Sequence, residues 1–400
     1  MRKAGYAELA VLFFLYGATM AMWLVPLGLI LDNHGYSAIK PYAYAASAIG
    51  AFVSPLIFGA MADHHASPTI VLRGLSTATA AAMTLSGLAI QARWDAWAVF
   101  LCVQLCALCA APMGSIVSSI IFSRLEDAQR EFGPVRCTAT IGWMSGCWLV
   151  SAARADASPL AAFIAAGMAL GLAAFTFCLP PIETPKAVVN LTLRQRLGLD
   201  ALTLLRNHDH RVIFIIAALL SLPLAAFFPY APAHLRELGL RQASAWMSLG
   251  QVTEVIAMFT LGTLLVKWRI KWIIGLGLAF GVLRFALSAM NGPAWLLAGI
   301  ALHGVSFTLV YVTAQIYIDQ RVAPGWRTRA QALLSLMSAG VGNLVGYLGT
   351  GWWFAGSARS GIANWPLFWG GLAAIAAAVL LYFMIAYHGK GSLPNRELSR

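Results

Sequence analysis

The sequence predicts an all-α membrane protein of twelve transmembrane helices in two pseudo-symmetric six-helix bundles, and three observations carry that prediction. Twelve apolar stretches along the 400 residues are each long enough for the roughly 20-residue helix that crosses a roughly 30 Å hydrocarbon core. The composition is 60% hydrophobic and only 10% charged, with a mean hydropathy of +0.74, outside the range of water-soluble domains. The stretches fall into two sets of six on either side of a charged, proline-bearing segment at 181–211. The expected organisation is an N-terminal bundle at 1–180, a cytoplasmic linker at 181–211, a C-terminal bundle at 212–388 and a short cytoplasmic tail at 389–400.

In chain order the spans are expected at about 6–31, 38–62, 69–92, 96–122, 134–153, 158–180, 212–234, 243–266, 270–290, 294–318, 328–352 and 363–387. The first follows only Met1-Arg2-Lys3 and has no small-residue cleavage site, so it reads as a retained helix and not as a signal peptide. Leu31-Asp32-Asn33-His34-Gly35 and Asn291-Gly292-Pro293 are turns, and Pro324-Gly325 divides two clusters of charge. In the fourth span Cys102, Cys106 and Cys109 share a helical face, a pattern open to soft-metal binding but read here as small apolar packing. No metal or cofactor is expected. The fifth and eleventh spans echo one another: each opens beside arginine and then turns rich in small residues, Gly142, Ser145 and Gly146 against Ser338, Gly340, Gly342 and Gly346. Small residues let helix backbones approach closely, so each of these spans is expected to pack on a partner helix in its own half. In the linker, leucines from Leu191 to Leu205 recur at helical spacing beside Arg194, Arg196 and Arg206. That is the pattern of an amphipathic helix on the inner membrane surface, with a plain tether as the simpler reading.

Charge fixes the orientation. Of the 27 Lys and Arg, placing both termini inside puts 20 on the inner side and 6 on the outer, with Arg284 inside a span. The same bias accounts for the net charge of +12: the basic residues are spread over short loops and form no single patch, which argues against nucleic-acid binding. Both termini are therefore expected on the cytoplasmic side of a membrane.

Polar residues inside the spans carry the functional information, because a charge at the bilayer centre costs at least about 2.5–3.5 kcal/mol unless it faces a cavity or a partner. Glu254 is the one acidic residue near the centre of any span, and Gln251, three residues earlier, shares its face. Two readings fit it. One is an ion pair with Arg284 or Arg136 that serves only bundle packing. The other is a reversible proton site, since burial favours a neutral carboxyl while a nearby cation favours the charged form. On the fifth span Arg136, Thr140 and Trp143 lie at i, i+4 and i+7 and present a cation, a hydroxyl and an aromatic plate to one side. Such a face suits a polar ligand with a ring, although Arg136 so soon after Pro134 also fits a side chain snorkelling to lipid phosphate. The tenth span repeats the device with His303, Phe307, Tyr311 and Gln315 at steps of four. His303 reads either as a hydrogen-bonded structural residue or as a proton relay or ligand donor. Arg284, near the outer part of the ninth span, reads as structural.

These residues bring a resemblance into focus. The chain resembles the bacterial nucleoside:proton symporters of the major facilitator superfamily, and more loosely the sugar:proton symporters and aromatic-acid permeases related to them. The likeness runs through Phe132-Gly133-Pro134-Val135-Arg136, Thr140 to Trp143, Leu199-Asp200 to Arg206-Asn207, Gln251 to Glu254, Leu283-Arg284-Phe285 and the Arg329-Ala330-Gln331 start of the eleventh span. It implies that Arg136, Thr140, Trp143, Gln251 and Glu254 line a nucleoside pocket. Where those symporters carry a glutamine and an asparagine on the seventh span, this chain has Ala225 and Phe228. Where they carry a tyrosine and then a phenylalanine followed by an aspartate on the tenth, it has His303, Phe307 and Thr308. The superfamily's glycine and aspartate after the second span survive as Gly59 and Asp63, followed by His64-His65, which assigns Asp63 to an inner gate.

The expected activity is proton-coupled import of a small polar, ring-containing solute by alternating access, with nucleoside first and a sugar, oligosaccharide or aromatic acid as the alternative. The expected partners are that solute, protons and lipid, with no nucleic acid, and the expected state is a monomer. Glu254, with His303 in reserve, is the expected proton carrier. An enzyme is disfavoured because no nucleophile and base pair stands out, and a sensor because no appended docking domain is visible. On this topology, cysteine labelling at Asn33 and Arg236 reports outside, and at Asp63, Ala187 and Lys390 inside. Finding Asn33 and Lys390 both cytoplasmic overturns the helix count or the orientation.

Overall fold

The computed structural model describes residues 3–63, 67–125, 128–179, 192, 199–323, 326–358 and 362–389. Helices account for nearly all of them. In chain order they are α1 (Lys3–Leu24 and Leu27–Asn33), α2 (Lys40–Asp63), α3 (Pro68–Gln91), α4 (Ala96–Ala110 and Met113–Phe122), α5 (Ala128–Ala152) and α6 (Leu160–Phe175). The second set is α7 (His208–Leu224 and Phe227–Glu237), α8 (Ala243–Met247 and Leu249–Lys267), α9 (Ile270–Ala289), α10 (Pro293–Phe307, continuing to Thr313–Arg321), α11 (Arg327–Ser335, continuing to Asn343–Ser357) and α12 (Trp365–Ala386). Among the described residues, 8 helices are long and apolar enough to cross a membrane. The breaks in α1 and α4 come at Pro26 and Pro112, and that in α7 just after Pro223, where a missing N–H interrupts the helical ladder.

The turns share a device. Gly35, Arg93, Arg154, Gly239 and Asn291 all have positive φ, and they follow α1, α3, α5, α7 and α9 in that order. A left-handed residue just past a helix end satisfies the last carbonyls and reverses the chain in few residues. Asp95 and Asn364 then open α4 and α12 by accepting from Trp97 N and Leu367 N.

Contacts divide the chain into two compact units, Met1–Asn190 with Phe228–Ser248, and Leu191–Phe227 with Leu249–Arg400. In the first, α5 packs along α1 on its glycines: a β-carbon on Gly142 would overlap the Phe14 carbonyl, and one on Gly17 the Ala139 carbonyl. Gly146 sits against Ala18 O in the same way. In the second unit α11 packs on α7 by the same means, with Gly342 against Ala218 O and Gly346 against Leu222 O. The partner helices expected from the small residues of α5 and α11 are therefore α1 and α7, equivalent members of the two sets of six.

Also within the first unit, segment 228–248 is fastened by polar groups. Tyr44 donates to Leu24 O at 2.9 Å and accepts from Gly28 N at 2.9 Å, with Phe228 O at 3.4 Å. Asp156, 6% exposed, accepts from Ser244 N at 2.7 Å and from Ser151 Oγ at 2.9 Å, while Ser151 Oγ accepts from Ala245 N at 2.9 Å. A carboxylate from the α5–α6 turn thus caps the first turn of α8. Lys40 Nζ lies 2.7 Å from Asp32 and 4.5 Å from the Tyr230 ring centre.

Two expectations shift. The fifth helix begins at Ala128 and not near Pro134, because one hydrogen bond lost near a helix end costs less than ending a helix that packs along its length on α1. The amphipathic linker helix falls largely outside the described residues; Leu199–Arg206 forms a 3-10 helix whose Asp200 accepts from Arg329 at 2.9 Å. The side chain of Asp63 lies outside the described residues too. Gly142→Leu is expected to destabilise the purified protein by about 1–3 kcal/mol, the usual penalty for overpacking, read as a lowered thermal midpoint. Gly167→Ala, where a β-carbon meets nothing within 4 Å, is expected to leave the midpoint unchanged.

Candidate functional site

In the first unit Arg136, Thr140 and Trp143 lie on the one continuous helix α5. Arg136 is exposed, and its guanidinium stands 5.7 Å from the Phe13 ring centre. Because α5 starts at Ala128, Arg136 lies about 12 Å along the helix at 1.5 Å per residue, farther from its start than Pro134 suggested. Thr140 and Trp143 are half-buried on the same side. The Trp143 ring is tilted at 47° against Phe228 with centroids 5.8 Å apart, and its indole N–H is buried with no hydrogen-bond partner among the described residues. Phe228 stands where the resemblance expects an amide, so an aromatic pair replaces a hydrogen-bonding group.

The second unit gathers Gln251, Glu254, His303 and Arg284. The helices α8 and α10 cross at Gly304, where a β-carbon would overlap Gly250 O and Glu254 N. That close approach brings the Glu254 backbone onto Gly304 and the His303 side chain to within 3.5 Å of where a β-carbon on Gly250 would stand. Thr253 reinforces the crossing by donating to Ala301 O. Gln251 is buried at 7% exposure and Glu254 half-buried.

His303 stacks on Phe227 at 4.0 Å and 20°. Arg284, 3% exposed, lies between Phe227 and Phe285, 4.7 Å from each ring centre, and hydrogen-bonds His303 Nδ1. A guanidinium has donors and no acceptor, so Nδ1 must offer a lone pair and His303 is the neutral tautomer with its proton on Nε2. Farther along α10 the rings of Phe307 and Tyr311 follow at 6.2 and 5.0 Å. Tyr311 shares a 2.7 Å hydrogen bond with Ser221. Gln315 closes the stripe at an exposed position, its main-chain carbonyl accepting from Gln331 Nε2 at 2.8 Å.

Sequence reasoning did not find Phe227 or Phe285, which make the cage around Arg284. The available signal was Pro223 followed by Phe227-Phe228-Pro229, a broken helix read only as apolar. It also did not anticipate the π-helical turns at Thr308–Val312 and Leu336–Gly342. Such turns recur at functional sites, and Thr308 Oγ1, at the position of the expected aspartate, is buried without a partner among the described residues. The three cysteines of α4 are free and mostly covered, as packing residues are. A separate cluster forms where α7 begins and α12 ends: ligand atoms of His208, Asp209 and His388 lie within 4.8 Å of one another, and Asp209 accepts from His388 N across 179 residues of sequence.

Among the described residues one glycine seam occurs twice, α5 on α1 and α11 on α7, with buried polar groups within the spans, which is the build of a secondary transporter of the major facilitator fold. A crystal structure of a point mutant of nucleoside transporter NupG superposes with a TM-score of 0.87 over 96% of this chain and 100% of that one, at 24% identity. The candidate nucleoside transporter YegT of Escherichia coli (strain K12) is 34% identical over 356 residues, 85% of this chain and 82% of that protein. Nucleoside permease NupG of the same organism is 25% identical over 408 residues, 96% of each. The profile of the nucleoside H+ symporter family matches residues 5–391, and the chain belongs to that family. It is a proton-coupled nucleoside transporter and not an enzyme.

The unpartnered indole N–H gives a specific expectation. Trp143→Phe keeps a ring against Phe228 and removes the donor, so it should weaken nucleoside binding about fivefold, the worth of one hydrogen bond, with the fold intact. Titration calorimetry on the purified variant checks this, and unchanged affinity removes Trp143 N–H from the ligand contacts.

Proposed function

We propose that the chain imports nucleosides together with protons across the bacterial inner membrane as a monomer, with both termini cytoplasmic. The substrate contacts come from Arg136, Thr140 and Trp143 on α5 and from Gln251, Glu254, His303 and Phe307 on α8 and α10. The chemistry of each group suits a nucleoside: aromatic faces match the base, and amide, hydroxyl and guanidinium groups match its edge and the ribose. Asp63 is assigned to the inner gate and Arg284 to positioning His303.

Glu254 carries the proton in this reading. The supporting observation is the α8–α10 crossing at Gly304, where the backbone of Glu254 meets the residue next to His303, the imidazole already committed as acceptor to Arg284. Thr308 cannot titrate at its position, so coupling falls to a single carboxylate. The drive suffices: one charge moving through about 100 mV yields about 2.3 kcal/mol, roughly fifty-fold accumulation.

Glu254→Gln keeps the shape and removes the titration. In proteoliposomes it should abolish uphill nucleoside accumulation while exchange between equilibrated compartments survives. Gln251→Ala and Arg136→Ala should each weaken binding by about 1–3 kcal/mol, as for a lost hydrogen bond to a buried polar ligand. If Glu254→Gln still concentrates nucleoside and His303→Gln does not, the proton belongs to the histidine. If both still do, coupling lies elsewhere.

A further inference from the structure

At the turn between α8 and α9 the second unit carries a groove of about 770 Å3. Lys267, Trp268, Arg269 and Trp272 form one end, and Gly275, Leu276, Ala279, Leu380 and Met384 form the other, along α9 and α12. Its ends differ in chemistry. The first holds two cations and two half-exposed indoles, Trp268 at 48% and Trp272 at 56% exposure, and the second offers only hydrocarbon and thioether surface. Gly275 makes the floor: a β-carbon there would come within 3.1 Å of Met384 Sδ.

Acidic residues are sparse in this part of the sequence. Lys267, Arg269 and Lys271 fall within five residues, and the sequence has no Asp or Glu between Glu254 and Asp319 or between Asp319 and Glu397. Among the described residues none of the three joins an ion pair. Helix α9 also begins without a side-chain cap, which leaves its first N–H groups for another acceptor. From Ile270 to Ala279 helix α9 climbs about 13.5 Å, close to the thickness of one hydrocarbon leaflet. Paired indoles beside the cations mark the headgroup level, where tryptophan concentrates.

We propose that this groove seats one anionic glycerophospholipid, with its phosphate on Lys267 and Arg269 and an acyl chain along Gly275, Ala279 and Met384. The charge complementarity favours this occupant over the alternatives. A nucleoside finds no neutral polar side chain along the apolar end, and a second copy of the chain about a two-fold axis brings like cations together. Basic pockets of this kind at the inner ends of membrane helices recognise lipid headgroups, and each cation near the surface adds to the preference for anionic lipid.

Native mass spectrometry of the full-length protein, delipidated in detergent and titrated with dioleoyl phosphatidylglycerol or dioleoyl phosphatidylcholine, tests it. The intact chain is expected to retain one phosphatidylglycerol with about tenfold preference over phosphatidylcholine. Lys267→Ala with Arg269→Ala should reduce that preference to within about twofold, whereas Lys267→Arg with Arg269→Lys should keep it. Ala279→Trp, which fills the apolar end, should lower retention of both lipids, with a thermal melt confirming that each variant is folded. Equal retention of the two lipids by the intact chain, or a preference unmoved by the double alanine change, overturns the proposal. So does full displacement of phosphatidylglycerol by inorganic phosphate, which makes the seat an anion site and not a lipid site.

Discussion

A bilayer interior offers no water to a stranded donor or acceptor, and that single constraint organises the molecule. Most of the hydroxyls in the spans bond to their own helix or to a neighbour. Thr19, Ser86, Ser118 and Ser221 each return their hydroxyl to a carbonyl four residues back, while Thr138 and Thr253 also reach a carbonyl on the adjoining helix. The polar groups that do not conform become conspicuous. Trp143 N–H and Thr308 Oγ1 have no partner among the described residues, and Arg284 is satisfied by an imidazole and two aromatic faces.

The same constraint explains the glycine seams. Between helices surrounded by lipid there is little hydrophobic gain to be had from association, so close backbone approach and dispersion carry the packing. Residues Gly142 and Gly146 on α5 and Gly342 and Gly346 on α11 bring their helices onto α1 and α7 at equivalent places in the two sets. Repetition of the left-handed turn after α1, α3, α5, α7 and α9 points the same way. One structural unit, used twice, produces both regularities.

Much of this was legible in the sequence because the bilayer imposes a long, simple period. Twenty apolar residues mark a span whatever its neighbours, and small residues at α5 and α11 announce close packing without naming the partner. Faces within one helix were legible too: Arg136, Thr140 and Trp143, or His303, Phe307 and Tyr311, follow from 3.6 residues per turn alone. Contacts between distant helices were not. That Arg284 rests on Phe227 and bonds His303, that Phe228 meets Trp143, and that Asp200 pairs with Arg329 depend on how helices cross, which no local pattern encodes. The position of Pro134 misled for a related reason, since a proline reads locally as a helix start while tertiary packing on α1 extends the helix through it.

The pair of Arg284 and His303 also limits how charge can move near α8 and α10. A guanidinium cannot accept a hydrogen bond, so the imidazole nitrogen facing it has to keep its lone pair. Protonating that nitrogen would break the bond and set two cations side by side against the same Phe227 ring. Protonating Nε2 of the neutral ring is impossible in this tautomer because that nitrogen already carries a hydrogen. The arrangement therefore holds one positive charge constant beside the Gly304 crossing, and on the proposed reading the group that changes charge there is Glu254. Coupling then needs only that Glu254 meet different surroundings in the two access states, since a bound proton can shift the balance between them by no more than its difference in affinity for each.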